Sequence, residues 1–280
     1  MTYECFDCTV ENGIAHVVLK RGDALNTMTP AFWSELPAIL RKLDDEAAAR
    51  VVVLSSTGKH FSAGMDLSVF AAGLGIPRDL EVGRQREAVR RLVLALQDSF
   101  NAIERIRMPV LAAIQGGCIG GAVDMVCAAD VRYCTEDAYF CIQETNLGMT
   151  ADVGTLQRLP HLIPQGWVRE LAYTGRKLPA RKAEALGLVN EVYPTQEAML
   201  AAVMETAREI ASKSPLTVAG CKENITYARD HSVPDSLNYI AAWQSGMFQT
   251  ADVMEAMQAR MQKREPTYPG LAKKAGLDGK

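Results

Sequence analysis

The chain has 280 residues, with 30 Lys and Arg against 33 Asp and Glu, a formal net charge of −3 at pH 7. That balance excludes a polybasic nucleic-acid surface; 48% hydrophobic and 22% charged residues exclude wholesale disorder and can fill a sizeable core. Seven cysteines, an odd number scattered from Cys5 to Cys221, do not make a disulfide framework.

No basic-then-apolar leader or membrane-length apolar run is present, and the C-terminal Leu277-Asp278-Gly279-Lys280 is not a peroxisomal Ser-Lys-Leu signal, so the reading is a soluble cytoplasmic protein away from membranes. Cys5 and Cys8 form an isolated Cys-x-x-Cys. His16, His60, His161 and His231 lack the His-Glu-x-x-His spacing, and no metal is expected.

The first element is a hairpin over residues 6–10 and 14–19, because Asn12-Gly13 supplies the positive φ angles of a tight turn. Thr29-Pro30 reads as a cap followed by proline at the first helical position, opening a helix to about residue 43. The apolar runs at 51–54 and 110–114 have the length and continuity of strands covered on both faces. Between them Val89, Leu92, Val93, Leu96, Phe100 and Ile103 recur at helical spacing until Pro109 ends the helix. Residues 71–83, with Gly73, Gly75 and Pro77, read as a mobile loop.

Further on, a short helix from 121 to about 128 precedes strands at 131–134 and 138–142. From 152 the chain turns mostly helical, with one last strand at 189–192. Helices at 196–213, 216–230, 233–248 and 251–263 close it. The alternation predicts an α/β core over residues 1–195 and a helical region over 196–280. The apolar stripe of that region either folds back as a layer or packs on another subunit.

Three constellations carry candidate chemistry. Ser62-Ala63-Gly64-Met65-Asp66-Leu67 follows a buried strand, and its small residues admit close backbone approach while a helix start leaves free N–H groups. Gly116-Gly117-Cys118-Ile119-Gly120-Gly121-Ala122-Val123-Asp124 leads into a helix whose N-terminal N–H groups suit an oxyanion or phosphate. It lacks the Gly-Lys-Ser/Thr ending of a P-loop, the dinucleotide fingerprint's second glycine is replaced by Cys118, and no Gly-x-Ser-x-Gly elbow occurs. The third is acidic: Asp124 in an apolar setting, Glu144, and Asp152 before a helix start, where a helix cap is the competing reading.

These blocks, in this order, resemble the enoyl-CoA hydratase/isomerase, or crotonase, superfamily over about the whole chain, from Asp23-Ala24-Leu25-Asn26 to Leu186-Gly187-Leu188-Val189-Asn190. The resemblance implies a crotonase-like α/β spiral of repeated β-β-α units, a C-terminal helical trimerisation region, and a homotrimer or homohexamer. It implies an acyl-CoA thioester substrate, with no cofactor beyond the CoA the substrate carries. By position, the backbone N–H groups of Met65 and Gly121 form the oxyanion hole, where a Cβ on Gly121 would obstruct the thioester. Ser62, Ala63, Gly64, Asp66, Leu67 and Gly117 fall on the substrate and CoA site, with the backbone of 59–66 against adenine and pantetheine. Lys20 or Arg21 is placed to reach phosphates, or is an exposed strand-end charge.

Asp124 and Glu144 stand 20 residues apart, as the two acids of hydratases do. Asp152, where hydratases commonly carry glycine, makes the set resemble the Δ3,5-Δ2,4-dienoyl-CoA isomerase branch, active in fatty-acid β-oxidation. In that frame Glu144 is the base at C2, Asp152 the acid at C6, protonated at rest through burial beside Glu144, and Asp124 hydrogen-bonds and orients Glu144. An enoyl-CoA hydratase, a Δ3,Δ2-enoyl-CoA isomerase and a non-catalytic CoA-thioester scaffold are the alternatives.

Overall fold

The computed structural model describes residues 2–71, 75 and 79–275. The hairpin is β1 (Phe6–Glu11) and β2 (Ile14–Leu19), closed by Asn12 and Gly13 at φ 52° and 78°. Helix α1 (Pro30–Asp45) starts on Pro30 and buries Phe32, Leu36, Ile39, Leu40 and Leu43, a single stripe at helical spacing. All six residues of β3 (Val51–Ser56) are buried. After α2 (Leu67–Ala71) comes the long α3 (Val82–Arg105), whose first N–H groups at Gly83 and Arg84 are capped by the Glu81 carboxylate. Of the loop expected over 71–83, residues 72–74 and 76–78 lie outside the described residues.

The middle of the chain runs β4 (Val110–Ile114), β5 (Gly117–Ile119), α4 (Gly121–Cys127), β6 (Val131–Thr135) and β7 (Tyr139–Cys141). A 3-10 turn (Glu144–Leu147), α5 (Thr155–Arg158), α6 (Gln165–Thr174), β8 (Leu178–Pro179), α7 (Ala180–Leu186) and β9 (Glu191–Tyr193) follow. Helices α8 (Gln196–Ala211), α9 (Pro215–Asp230), α10 (Val233–Met247) and α11 (Thr250–Gln262) end the described fold. The last strand starts two residues later and ends one residue later than the sequence pattern predicts, and β5 and β8 have no counterpart in that pattern. Glycine-led and proline-containing segments have no strand propensity of their own. β5 is held extended by pairing with β7 and by the Ser62–Cys118 bridge.

The large sheet has the order β1-β2-β3-β4-β6-β9, antiparallel between β1 and β2 and parallel elsewhere; β5-β7-β8 form a second sheet. The chain is a spiral. Each turn contributes one strand to the large sheet, one short extended segment to a second layer and then helix: β3 with Ser62 to Met65, β4 with β5, β6 with β7. Successive turns therefore bring their second-layer segments and helix starts side by side, which is where the chemistry-bearing blocks lie.

One face of the large sheet packs under α1 and α3 through Val17, Val52, Phe32, Phe100 and Ile103. The other is covered by Met199, Val203 and Ala207 of α8 against Val51, Val53, Leu111 and Ala113. Helix α9 is fastened by buried Lys222, whose Nζ donates to the carbonyls of Ile103 (2.8 Å) and Met108 (2.9 Å) and to Asp130 Oδ2 (2.8 Å), an ammonium with all three donors satisfied. Beyond it α10 has no buried residue and α11 only Ala259. Val233, Leu237, Met254, Met257 and Met261 stand exposed there.

Candidate active site

From Phe61 to Asp66, the stretch that follows the β3 turn is built so that one backbone N–H is left over among the described residues. Asn26 Nδ2 donates to the carbonyls of Thr57 (2.8 Å) and His60 (3.0 Å). Ser62 Oγ donates to the Asn26 carbonyl (2.8 Å) and accepts from Gly64 N–H (3.1 Å). Met28 N–H donates to the Gly64 carbonyl (2.8 Å) and Asp66 N–H to the Met28 carbonyl (3.1 Å). The Met65 N–H between them has no acceptor among the described residues. Nor has the N–H of Gly121, the first residue of α4, as helix geometry requires of a first turn.

Gly64 brings the two together. At φ +81°, a Cβ there would lie 2.6 Å from the Ile119 carbonyl oxygen and 3.3 Å from Gly121 N, so only glycine lets the Met65 turn close on α4. Asp66 caps α2, accepting from Ser68 N–H (3.0 Å) and Oγ (2.6 Å) and from Thr27 Oγ1 (3.0 Å). Those bonds, Ser68's first, hold its carboxyl below the usual range.

Asp124, on α4, is fully buried. Its Oδ1 accepts from the Thr155 N–H that opens α5, and its Oδ2 is buried without a partner. Burial pushes its carboxyl up to about 6, against the lowering effect of the Thr155 bonds. Glu144 opens the 3-10 turn and is pushed up to about 7, first by burial and then by the neighbouring Asp124 charge. Asp152 stands at the exposed rim, raised by partial burial, with its peptide carbonyl held by Gln97 Nε2 of α3 at 2.7 Å. The hydrogen bond expected from Asp124 to Glu144 is not formed: Oδ1 accepts from Thr155 and Oδ2 has no partner, and the effect of Asp124 that reaches Glu144 is that of its charge.

A side chain at Gly121 would in addition press on Met28, its Cβ lying 3.0 Å from Met28 Sδ. Gly120 makes room for the chemistry, at φ +55° with a Cβ position 3.1 Å from Glu144 Oε1. A positive φ next to a carboxylate left no signature distinguishable from its glycine neighbours in sequence.

These groups meet on a cleft of about 850 Å³. Met65, Gly121, Glu144 and Asp152 line it, as do Ala63, Asp66 and Leu67; Val89, Leu92, Val93 and Leu96 of α3, together with Leu147, Met149 and Trp33, make its apolar lining. Gly64 and Ser62 lie behind the wall, as does Gly117, whose N–H donates to His60 Nδ1 at 2.9 Å. Asp124 also lies behind it, reaching the cleft only through Glu144. Lys20 pairs with Asp7 at 2.9 Å, and Arg21 donates to the Thr27 carbonyl at 2.7 Å. Thr155, Gln97, Trp33 and the α3 wall escaped the sequence reading as site residues, although the α3 stripe was legible as a helix face.

The sequence model of the enoyl-CoA hydratase/isomerase family matches residues 9–271. The human mitochondrial Delta(3,5)-Delta(2,4)-dienoyl-CoA isomerase is 44% identical over 266 residues, covering 94% of this chain and 81% of that protein. The peroxisomal isomerase of the same name from Arabidopsis thaliana is 39% identical, covering 96% and 98%. Among solved structures, an enoyl-CoA hydratase from Bacillus anthracis superposes with a TM-score of 0.85 at 31% identity, covering 97% of this chain and 100% of that one. The relatives overturn the cytoplasmic placement: proteins this similar are mitochondrial and peroxisomal. Free cysteines and the lack of a membrane-length apolar helix among the described residues do not distinguish one reducing compartment from another.

Proposed function

The chain belongs to the enoyl-CoA hydratase/isomerase family, and from its likeness to dienoyl-CoA isomerases over nearly its whole length we infer that it isomerises 3,5-dienoyl-CoA thioesters to 2,4-dienoyl-CoA. The observation that carries this reading is the pairing of Glu144 and Asp152 on one apolar cleft beside two unengaged backbone N–H groups. The thioester oxygen sits between Met65 N–H and Gly121 N–H, and Glu144 removes a proton from C2. The resulting enolate spreads its charge from the oxygen through C2 and C4 to C6. Asp152, further along the acyl channel, returns a proton at C6, so one proton leaves and one arrives and the double bonds move into conjugation with the thioester. Donors fixed before charge develops contribute about 3 kcal/mol each to such a step.

Asp124 favours isomerisation over hydration. Hydration needs a water over C3 held by two carboxylates, whereas this carboxylate is sealed from the cleft and bonded to Thr155. It serves by keeping Glu144 basic. The acyl-CoA is the substrate and brings the only CoA required. A panel of crotonyl-CoA, 3-enoyl-CoA and 3,5-dienoyl-CoA tests the reading. The expected result is a new ultraviolet absorption from the conjugated 2,4-dienoyl product at a rate at least tenfold above crotonyl-CoA hydration. Faster hydration would make the protein a hydratase, and CoA binding without any turnover would make it a scaffold.

The exposed apolar residues of α10 and α11 support a homotrimer, or a dimer of trimers, assembled through the C-terminal helices. Sedimentation equilibrium is expected to give three or six chains. Charged replacements at Leu237 and Met257 are expected to yield monomers; a monomeric wild type would reject the assembly.

A further inference from the structure

On either side of the Gly154–Thr155 turn, two oppositely charged side chains each bury one atom without a hydrogen-bond partner among the described residues: Asp124 Oδ2 and Arg158 Nε. Arg158 closes the short α5 and folds back over its start, where a Cβ on Gly154 would fall on Arg158 Nη1. Glycine at 154, at φ +139°, therefore leaves the space the guanidinium occupies. From α3, Asn101 Oδ1 and Glu104 Oε2 accept from Arg158 Nη2 at 2.6 and 2.8 Å, and the ion pair is only 11% and 17% exposed on its two sides. Arg229 of α9 engages the other oxygen of Glu104. None of these residues lines the cleft.

We propose that Arg158 is a positioning residue that sets which of the two buried carboxylates carries charge: clamped by Asn101 and Glu104, it lies over the turn that binds Asp124, favours ionised Asp124, and so keeps Glu144 basic. The proposal rests on Glu144 being the base. The groups facing Asp124 are Glu144 on the 3-10 turn, Asp152 ahead of α5, Arg158, and the thiols of Cys118 on β5 and Cys127 on α4. Arg158 is the cation among them, and its charge opposes the burial that raises Asp124. Glu104 in turn partly neutralises Arg158, so the chain of influence alternates in sign from α9 inward.

That alternation separates a charge role from a merely structural one. Arg158→Gln removes the cation, so the Asp124 carboxyl should titrate higher by about half a unit or more. Glu104→Gln frees the cation, so Asp124 should titrate lower. The probe is carbon-13 NMR of labelled aspartate carboxyls in the full-length protein, assigned with Asp124→Asn, alongside the pH profile of kcat/KM. In that profile the acid limb should move down for Arg158→Gln, because Glu144 then ionises beside a neutral neighbour, and up for Glu104→Gln. Arg158→Lys, which keeps the charge, should stay near wild type. Midpoints that do not move, or that move the same way in both Gln variants, overturn the proposal. If Arg158→Gln does not fold, an unmoved Asp124 in Glu104→Gln has the same force. The carboxyl titration reads Arg158 even in a protein without isomerase turnover, so failure of the proposed reaction is distinguishable from failure of the tuning.

Discussion

Glu144→Gln is expected to lower kcat on 3,5-dienoyl-CoA about 10³-fold, within the range a positioned general base contributes, and to make the protein more stable at pH 8. Glutamine keeps the shape of the side chain beside Gly120 but cannot accept the C2 proton. Glu144 in the folded protein is pushed up to about 7 by burial and by the Asp124 charge. The wild-type rate should therefore rise with pH through about 7, well above the ordinary glutamate range. A base half ionised near neutrality is strong enough to take a weakly acidic thioester α-proton, yet largely available.

The same shift has a cost in stability. A carboxyl whose folded pKa is raised holds its proton more tightly folded than unfolded, so its contribution is fully present below the unfolded value and is lost as pH climbs from about 4.3 through 7. For Glu144 the loss is roughly 3 kcal/mol. Urea unfolding at pH 5 and pH 8 should show a smaller difference between the two conditions for Glu144→Gln than for wild type. Turnover within tenfold of wild type, or an unchanged pH difference, would remove Glu144 from the role of base. The protein holds two carboxylates in surroundings that oppose their charge, the arrangement by which active sites trade stability for reactivity.

Why some of this was legible in the sequence and some not follows from which interactions fix each part. Strands β3 and β4 were readable because burial on both faces demands continuous apolar runs, and α3 because one face meets the core. Asp124 was readable because a carboxylate in apolar surroundings is costly and therefore informative, whereas Glu144 and Asp152 stood out through their places in the family pattern. By contrast, β5 is extended only because β7 and Ser62 pair with it, a tertiary cause that its glycines conceal. The same holds for Gly120 against Gly121: both are glycines, and only the fold shows that one spares a carboxylate and the other a methionine. The partner of Asp124 was misread for a related reason. Glu144 is the chemically obvious neighbour, but a free N–H at the start of α5 arrives first, and no local pattern at Thr155 announces it.

Asp152→Asn is expected to reduce formation of 2,4-dienoyl-CoA about 10²- to 10³-fold while leaving the first half of the reaction running. Asparagine matches the carboxyl in size and leaves the peptide carbonyl that Gln97 holds, so the rim should keep its shape and the substrate its binding. What is lost is a proton donor at C6. With Met65, Gly121 and Glu144 intact, the enolate still forms and collapses back, and substrate incubated in D2O should gain deuterium at C2 without conversion. Proton NMR of the recovered thioester reads that exchange directly. Glu144→Gln should abolish the exchange along with the product, so the two variants split one reaction into its two proton transfers. Normal product formation in Asp152→Asn would mean that a single carboxylate serves both ends of the dienyl chain. Loss of exchange in Asp152→Asn would mean that Asp152 acts before the enolate forms. Exchange without product is the outcome that follows from two acids set along one apolar channel, since a C2 base at the oxyanion hole cannot reach C6 while the thioester oxygen stays in place.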